Sequence, residues 1–181
     1  LIYQYIYDYF LEHFSSKIEM KMPLPMMNIL NGGAHANNKL DFQEFMIQPV
    51  GFSSFKEGLI CGVEVFNYLK KTLNQKGFST AVGDEGGFAP GIDSAEEALD
   101  LISSSIEAAG YKVDKDVTFA LDCAATELLS KDNYVFSNDE KLSSDELIEY
   151  LAKLANAYPL TSIEDGLDEN DWSGWENLTK K

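Results

Sequence analysis

Short apolar segments alternate with amphipathic helical segments along most of the chain. VTFALD (residues 117–122) and LTSIED (residues 160–165) are strand-like and largely apolar. A helical stripe that begins at Ser94 repeats apolar residues every three or four positions until Gly110. Strands that are apolar on both faces and alternate with helices are typical of a parallel sheet covered by helices. The pattern therefore predicts an α/β fold with a parallel sheet.

Local signals predict the other elements. Ser54 and Glu57 have capping-box spacing, and so do Ser143 and Glu146, so a helix is expected to begin at each serine. The first of these helices is expected to end at Gly77. The chain should also form an aromatic helix at its start and a last helix at DWSGWENL. Strands are expected at PMMNIL, DFQEFMIQPV and TAVGDE (residues 80–85). A turn is expected at NGGAHANN, and DNYVFS is expected to be a short insertion between the regular elements.

Charge and hydropathy exclude several classes of partner. The 181 residues contain 14 Lys+Arg and 30 Asp+Glu, a formal net charge of −16, and no stretch combines basic with aromatic residues. Nucleic acids and anionic membranes are therefore not expected as partners. No apolar run approaches the length of a membrane span, and Gln4 and Asp8 interrupt the aromatic opening. Two buried-looking cysteines, Cys61 and Cys123, fit reduced thiols in a cytoplasmic protein.

Three predicted strands end in an acid: Glu85 in VGDEGG, Asp122 in ALDCA and Glu164 in SIEDG. Any one of them alone is typical of a helix cap or turn. The carboxyl ends of parallel strands gather on one face, so the three carboxylates are expected to converge. Converging carboxylates repel one another unless a cation compensates them. Oxygen ligands without His or Cys suit Mg²⁺ or Mn²⁺, and the ligand is expected to be an anionic, oxygen-rich small molecule.

Five motifs carry a resemblance to a known family. NGGAHANN, DFQEFMIQP, AVGDEGGFAP, ALDCAATE and SIEDGLDENDW occur in this order and closely resemble the enolases, the glycolytic phosphopyruvate hydratases. The resemblance covers essentially the whole chain. It implies a TIM-type (β/α)8 barrel whose first two strands are antiparallel. Residues 1–181 would then be the first part of the C-terminal catalytic barrel domain, without the N-terminal domain and the later barrel strands.

The resemblance also implies a metal site. Asp122 and Glu164 correspond to two of the three carboxylates that hold a catalytic Mg²⁺, and Gln43 corresponds to a polar neighbour of that site. The third carboxylate belongs to a later strand of the family's barrel. The catalytic lysine base and the phosphate-binding residues also belong to later strands. Without these groups, the 181 residues are expected to be inactive by themselves. The chain lacks an initial Met and both ends fall inside helical patterns, so we expect a fragment.

Three residues are implied to act on the substrate, 2-phosphoglycerate, during its reversible dehydration to phosphoenolpyruvate. Glu85 corresponds to the acid that assists departure of the hydroxyl group, and Glu44 to the acid beside it. His35 corresponds to a histidine that approaches the substrate from a mobile loop. Taken without the family, His35 is typical of a turn histidine and Glu44 of a solvated edge residue.

Two alternatives stay open at this stage. Another lyase or racemase of the enolase superfamily would keep the metal-binding acids and act on a different carboxylate. A non-catalytic protein displayed on the cell surface, without a signal peptide, would use the acidic surface to bind host proteins. The full-length protein is expected to be a homo-oligomer, because the family is commonly dimeric.

Overall fold

The computed structural model describes residues 1–14, 19–83 and 86–181. The main sheet is formed by four strands, β1 (Met27–Asn31), β2 (Glu44–Gln48), β3 (Thr118–Asp122) and β7 (Leu160–Glu164). A small second sheet contains β4 (Leu129–Ser130), β5 (Asn133–Val135) and β6 (Lys141–Leu142). The helices are α1 (Ile2–His13), α2 (Phe55–Lys76), α3 (Ala95–Ala108), α4 (Ser144–Ala157) and α5 (Trp172–Lys180).

The main sheet is mixed: the parallel arrangement that the apolar pattern predicted is found between β3 and β7, and that prediction was wrong for β2. Its order is β1-β2-β3-β7; β2 runs antiparallel to both β1 and β3, and β3 and β7 are parallel. Residues 32–43 join β1 to β2 without an α-helical crossover, and such a direct connection returns the chain antiparallel. The described strands form an open sheet, with β7 paired only to β3.

The helix boundaries agree with the predicted capping signals. Ser54 accepts a hydrogen bond from the Glu57 N–H at the start of α2, and Ser143 and Glu146 form a complete capping box at the start of α4. Helix α2 ends at Gly77, whose φ of 80° places it in the left-handed region that favours glycine. These predictions are confirmed.

The predicted strand at residues 80–85 is not formed in its described part, residues 80–83. Val82 makes only an isolated bridge to Phe88, and the Gly83 N–H donates to the Gly87 carbonyl, so the chain doubles back on itself. Phe88 is the residue that reaches the sheet: its N–H donates to the Ile29 carbonyl, and its carbonyl accepts from the Asn31 N–H. Asp84 and Glu85 lie outside the described residues.

The sheet has one apolar face and one polar face near its end. Phe45, Ile47, Phe119 and Leu121 are fully buried in one core with side chains of α2, α3 and α4. Burying a side chain of this size stabilises the fold by roughly 1.5–3 kcal/mol. Successive strand residues point to opposite faces, so Glu44 and its neighbours across the sheet lie on the other face. No helix within the described ranges combines the length and apolarity needed to cross a membrane.

Candidate active site

Four polar residues form one row across the end of the main sheet. Asn31 is paired with Glu44, Glu44 with Asp122, and Asp122 with Glu164. Paired residues on neighbouring strands direct their side chains to the same face of a sheet. The row therefore brings Glu44, Asp122 and Glu164 together on one face. Glu85, the remaining predicted acid, lies outside the described residues.

The carboxylate of Asp122 is held by two hydrogen bonds. The Gln43 side-chain amide donates to Oδ2 at 3.1 Å, and the Ala124 N–H donates to Oδ1 at 3.0 Å. The Gln43 N–H also donates to the Asp122 carbonyl at 3.0 Å. Each carboxylate oxygen can accept more than one hydrogen bond or metal bond, so both keep capacity for a ligand. Gln43 thus lies next to Asp122, and its place beside a metal site stays a prediction.

Glu164 is the last residue of β7, and its side chain is exposed. The backbone keeps it beside Asp122: the Cys123 N–H donates to the Glu164 carbonyl, and the Ala125 N–H donates to the Asp165 carbonyl. These bonds continue the pairing of β3 and β7 past their last residues. The two acids are thus neighbours because the parallel pair stays in register to its end.

His35 lies close to Glu44. It is the last residue of a short 3₁₀ turn, Gly33–His35, and its Nδ1 is 3.4 Å from Glu44 Oε1. Both side chains remain partly accessible, 27% for His35 and 15% for Glu44. Gly32, before this turn, packs closely against residues 40–42, because a Cβ atom there would collide with the carbonyl oxygens of Leu40 and Phe42.

Two asparagines that were not predicted from the sequence connect the segments of the site. Asn31 is 1% exposed, and its side chain donates to the carbonyls of Gly86 and Gly87. Asn38 donates to the carbonyls of Asn31 and Pro90. The one available signal was that an asparagine ends an apolar strand in the turn-prone NGGAHANN motif, where it is typical of a turn former.

Two of the described acids could hold part of a metal site. Carboxylate oxygens are the ligands that Mg²⁺ prefers, and Asp122 and Glu164 offer them from neighbouring strands. Within the described ranges, no group of three or more His, Cys, Asp or Glu side chains is placed to hold a metal ion. That Asp122 and Glu164 are two of three metal ligands stays a prediction.

Comparisons with known proteins identify similar chains. The family model of the enolase C-terminal TIM barrel domain matches residues 19–181. Proteins named enolase from Legionella pneumophila strains Corby, Paris and Philadelphia 1 are each 56% identical to the chain over 161 residues. The matched segment is 88% of this chain and 38% of each relative, so the chain spans well under half the length of these relatives.

Proposed function

The chain belongs to the enolase C-terminal TIM barrel domain family, and from this membership we propose that the protein is an enolase. The reaction is the reversible dehydration of 2-phosphoglycerate to phosphoenolpyruvate and water, a magnesium-dependent lyase step of glycolysis and gluconeogenesis. The observation that carries the proposal is the row of Glu44, Asp122 and Glu164 at one end of the sheet. The acids occupy the part of the fold where barrel enzymes have their active sites.

We propose that residues 1–181 are the first part of a C-terminal (β/α)8 barrel domain whose first two strands are antiparallel. The antiparallel pairing of β1 and β2 supports this order of strands. The exposed edge of β7 supports a further strand beside it, because Leu160, Ile163, Trp175 and Leu178 line a cavity of about 350 Å³ along that edge.

Asp122 and Glu164 would hold the Mg²⁺ ion of this enzyme, with Gln43 orienting the Asp122 carboxylate. When bound, the ion acts as a Lewis acid that stabilises negative charge developing on the substrate carboxylate. The family's lysine base and third carboxylate ligand are not assigned to any of these 181 residues. The 181 residues alone are therefore proposed to be inactive.

The residues of this chain act on the leaving hydroxyl group. Hydroxide is a poor leaving group, so a protonated carboxyl must donate a proton as the C–O bond breaks, which releases water. We assign this donation to Glu85, with Glu44 beside it. His35, at 3.4 Å from Glu44, would contact the substrate from its loop.

The proposed setting is that of a metabolic enzyme: a cytoplasmic homo-oligomer with a small-molecule substrate. The formal charge of −16 supports the absence of nucleic-acid partners. An acidic site for an anionic substrate requires a cation, so we expect activity to depend on magnesium.

The proposal is tested with the full-length protein, by following phosphoenolpyruvate formation from 2-phosphoglycerate with Mg²⁺ and again after chelation. We expect turnover that the chelator abolishes. Glu44→Gln and Glu85→Gln should each lower kcat by about 10²-fold or more, the size expected for a lost acid–base group. Glu107→Gln changes an exposed glutamate on α3 and should stay within about twofold of the wild type. A wild-type protein without turnover would refute the proposal.

A further inference from the structure

The side chain of Asn31 is a buried connector between two distant segments. It is the last residue of β1, and its Nδ2 donates to the carbonyl of Gly86 at 2.6 Å and to that of Gly87 at 3.1 Å. Its Oδ1 accepts from the side chain of Asn28 at 2.6 Å. Both N–H groups and the carbonyl of this amide are therefore used. A buried amide with all its groups satisfied has one allowed orientation, which makes it a rigid connector.

Asn38 connects the same region to the loop that carries His35. Its Nδ2 donates to the carbonyl of Asn31 at 3.0 Å and to that of Pro90 at 2.8 Å. Its Oδ1 accepts from the Leu40 N–H within its own loop at 3.3 Å. The two asparagines together join the end of β1, the His35 loop and residues 86–90.

Two glycines, Gly83 and Gly87, pack closely against the side chain of Asn31. A Cβ atom on Gly83 or on Gly87 would lie 2.9 Å from Asn31 Nδ2, and one on Gly87 would lie 3.0 Å from the Leu30 nitrogen. Glycines on both sides of Asp84 and Glu85 thus leave the space that the asparagine side chain occupies. Gly87 also has a φ of 73°, which favours glycine.

We propose that Asn31 and Asn38 are positioning residues of the active site: they fix the His35 loop and the chain after Glu85 relative to Glu44, without touching the substrate. This inference rests on the proposed enolase function. The contacts that join these segments run from Nδ2 of both side chains to backbone carbonyls, so the role requires an N–H donor. Aspartate has the same shape and lacks that donor, which makes it the decisive replacement.

The kinetic test uses full-length Asn31→Asp and Asn38→Asp variants with 2-phosphoglycerate. Displacing a reacting group by an ångström lowers the rate by about 10²-fold, so we expect kcat to fall by about 10- to 100-fold. KM should change by less than about threefold, because an interaction made only in the transition state affects kcat. Asn156→Asp is the matched control: its Nδ2 also donates to a backbone carbonyl, that of Ala152 on α4, and its kcat should stay within about twofold.

Hydrogen exchange measured by mass spectrometry separates positioning from general destabilisation. In both variants the backbone N–H groups of Asn31, Gly33 and Phe88, which are hydrogen-bonded within these segments, should exchange about tenfold faster or more. The amides of α3 should keep the wild-type rate. This readout needs no turnover, so it still tests the connection if the wild-type protein does not act on 2-phosphoglycerate.

Three results would overturn the inference. One is a kcat within about threefold of the wild type in both variants. Another is faster exchange in α3 to the same extent as at Phe88, which would make the asparagines ordinary stability residues. The third is unchanged exchange at Asn31, Gly33 and Phe88.

Discussion

Replacing Gln43 with Met should weaken magnesium binding, because the Gln43 amide holds Asp122 Oδ2 at 3.1 Å. A hydrogen bond to a charged group contributes roughly 1.5–3 kcal/mol. If that bond orients the carboxylate for the ion, its loss corresponds to about a 10- to 100-fold weaker affinity, since about 1.4 kcal/mol is a factor of ten. Losses of 10- to 100-fold are also typical for residues that support a metal ligand. The backbone bond from the Gln43 N–H to the Asp122 carbonyl survives the substitution.

The assay is isothermal titration of Mg²⁺ into the full-length protein. Gln48→Met supplies the control, because Gln48 lies at the far end of β2 and is paired with Thr118. Its affinity for Mg²⁺ should stay within about twofold of the wild type. The reasoning is refuted if Gln43→Met also stays within that range, or if both variants lose affinity equally.

Four further predictions concern stability, measured by urea denaturation of the full-length protein. Ser143→Ala removes the capping box of α4 and should lower the free energy of unfolding by about 1–2 kcal/mol. The control Ser104→Ala, at an exposed position of α3, should change it by less than about 0.5 kcal/mol. Equal effects of the two substitutions would contradict the capping role. Gly77→Ala should lower the free energy of unfolding by about 1 kcal/mol or more. The left-handed φ of 80° is strained for alanine, although no atom lies within 4 Å of the added Cβ. Phe119→Ala should lower the free energy of unfolding by about 3–5 kcal/mol, and a loss below about 1 kcal/mol would contradict its place in the core. Burial raises the pKa of the Cys61 thiol to about 11, so the unfolded chain loses this proton first as pH rises above about 9. Stability should therefore fall between about pH 9 and about pH 11, and Cys61→Ala should reduce that fall.

Local features were predictable from the sequence. The capping serines Ser54 and Ser143 bond to backbone groups three residues away, so residue spacing alone identifies them. Asp122 and Glu164 were expected at strand ends because an apolar run stops at each of them. The structure places them as direct neighbours in the parallel pair of β3 and β7.

Features set by distant partners were not predictable from residue periodicity and spacing. The direction of β2 depends on its pairing with β1 and β3, and neither pairing is encoded in the periodicity of β2 itself. The segment 80–83 has strand-like composition, yet Phe88 takes the place beside β1. The carbonyls that accept from Asn31 Nδ2 lie 55 and 56 residues further along the chain, so the NGGAHANN motif indicates only a turn.

The central claim is that Asp122 and Glu164 bind a divalent cation at the end of the sheet. The most direct test is a crystal structure of the full-length protein with Mn²⁺, which substitutes for Mg²⁺ and gives an anomalous signal. The account predicts an anomalous peak bonded to carboxylate oxygens of both Asp122 and Glu164, at about 2.0–2.2 Å. A map with no peak beside these two side chains, or with the ion bound elsewhere while both carboxylates stay free of metal, would contradict it.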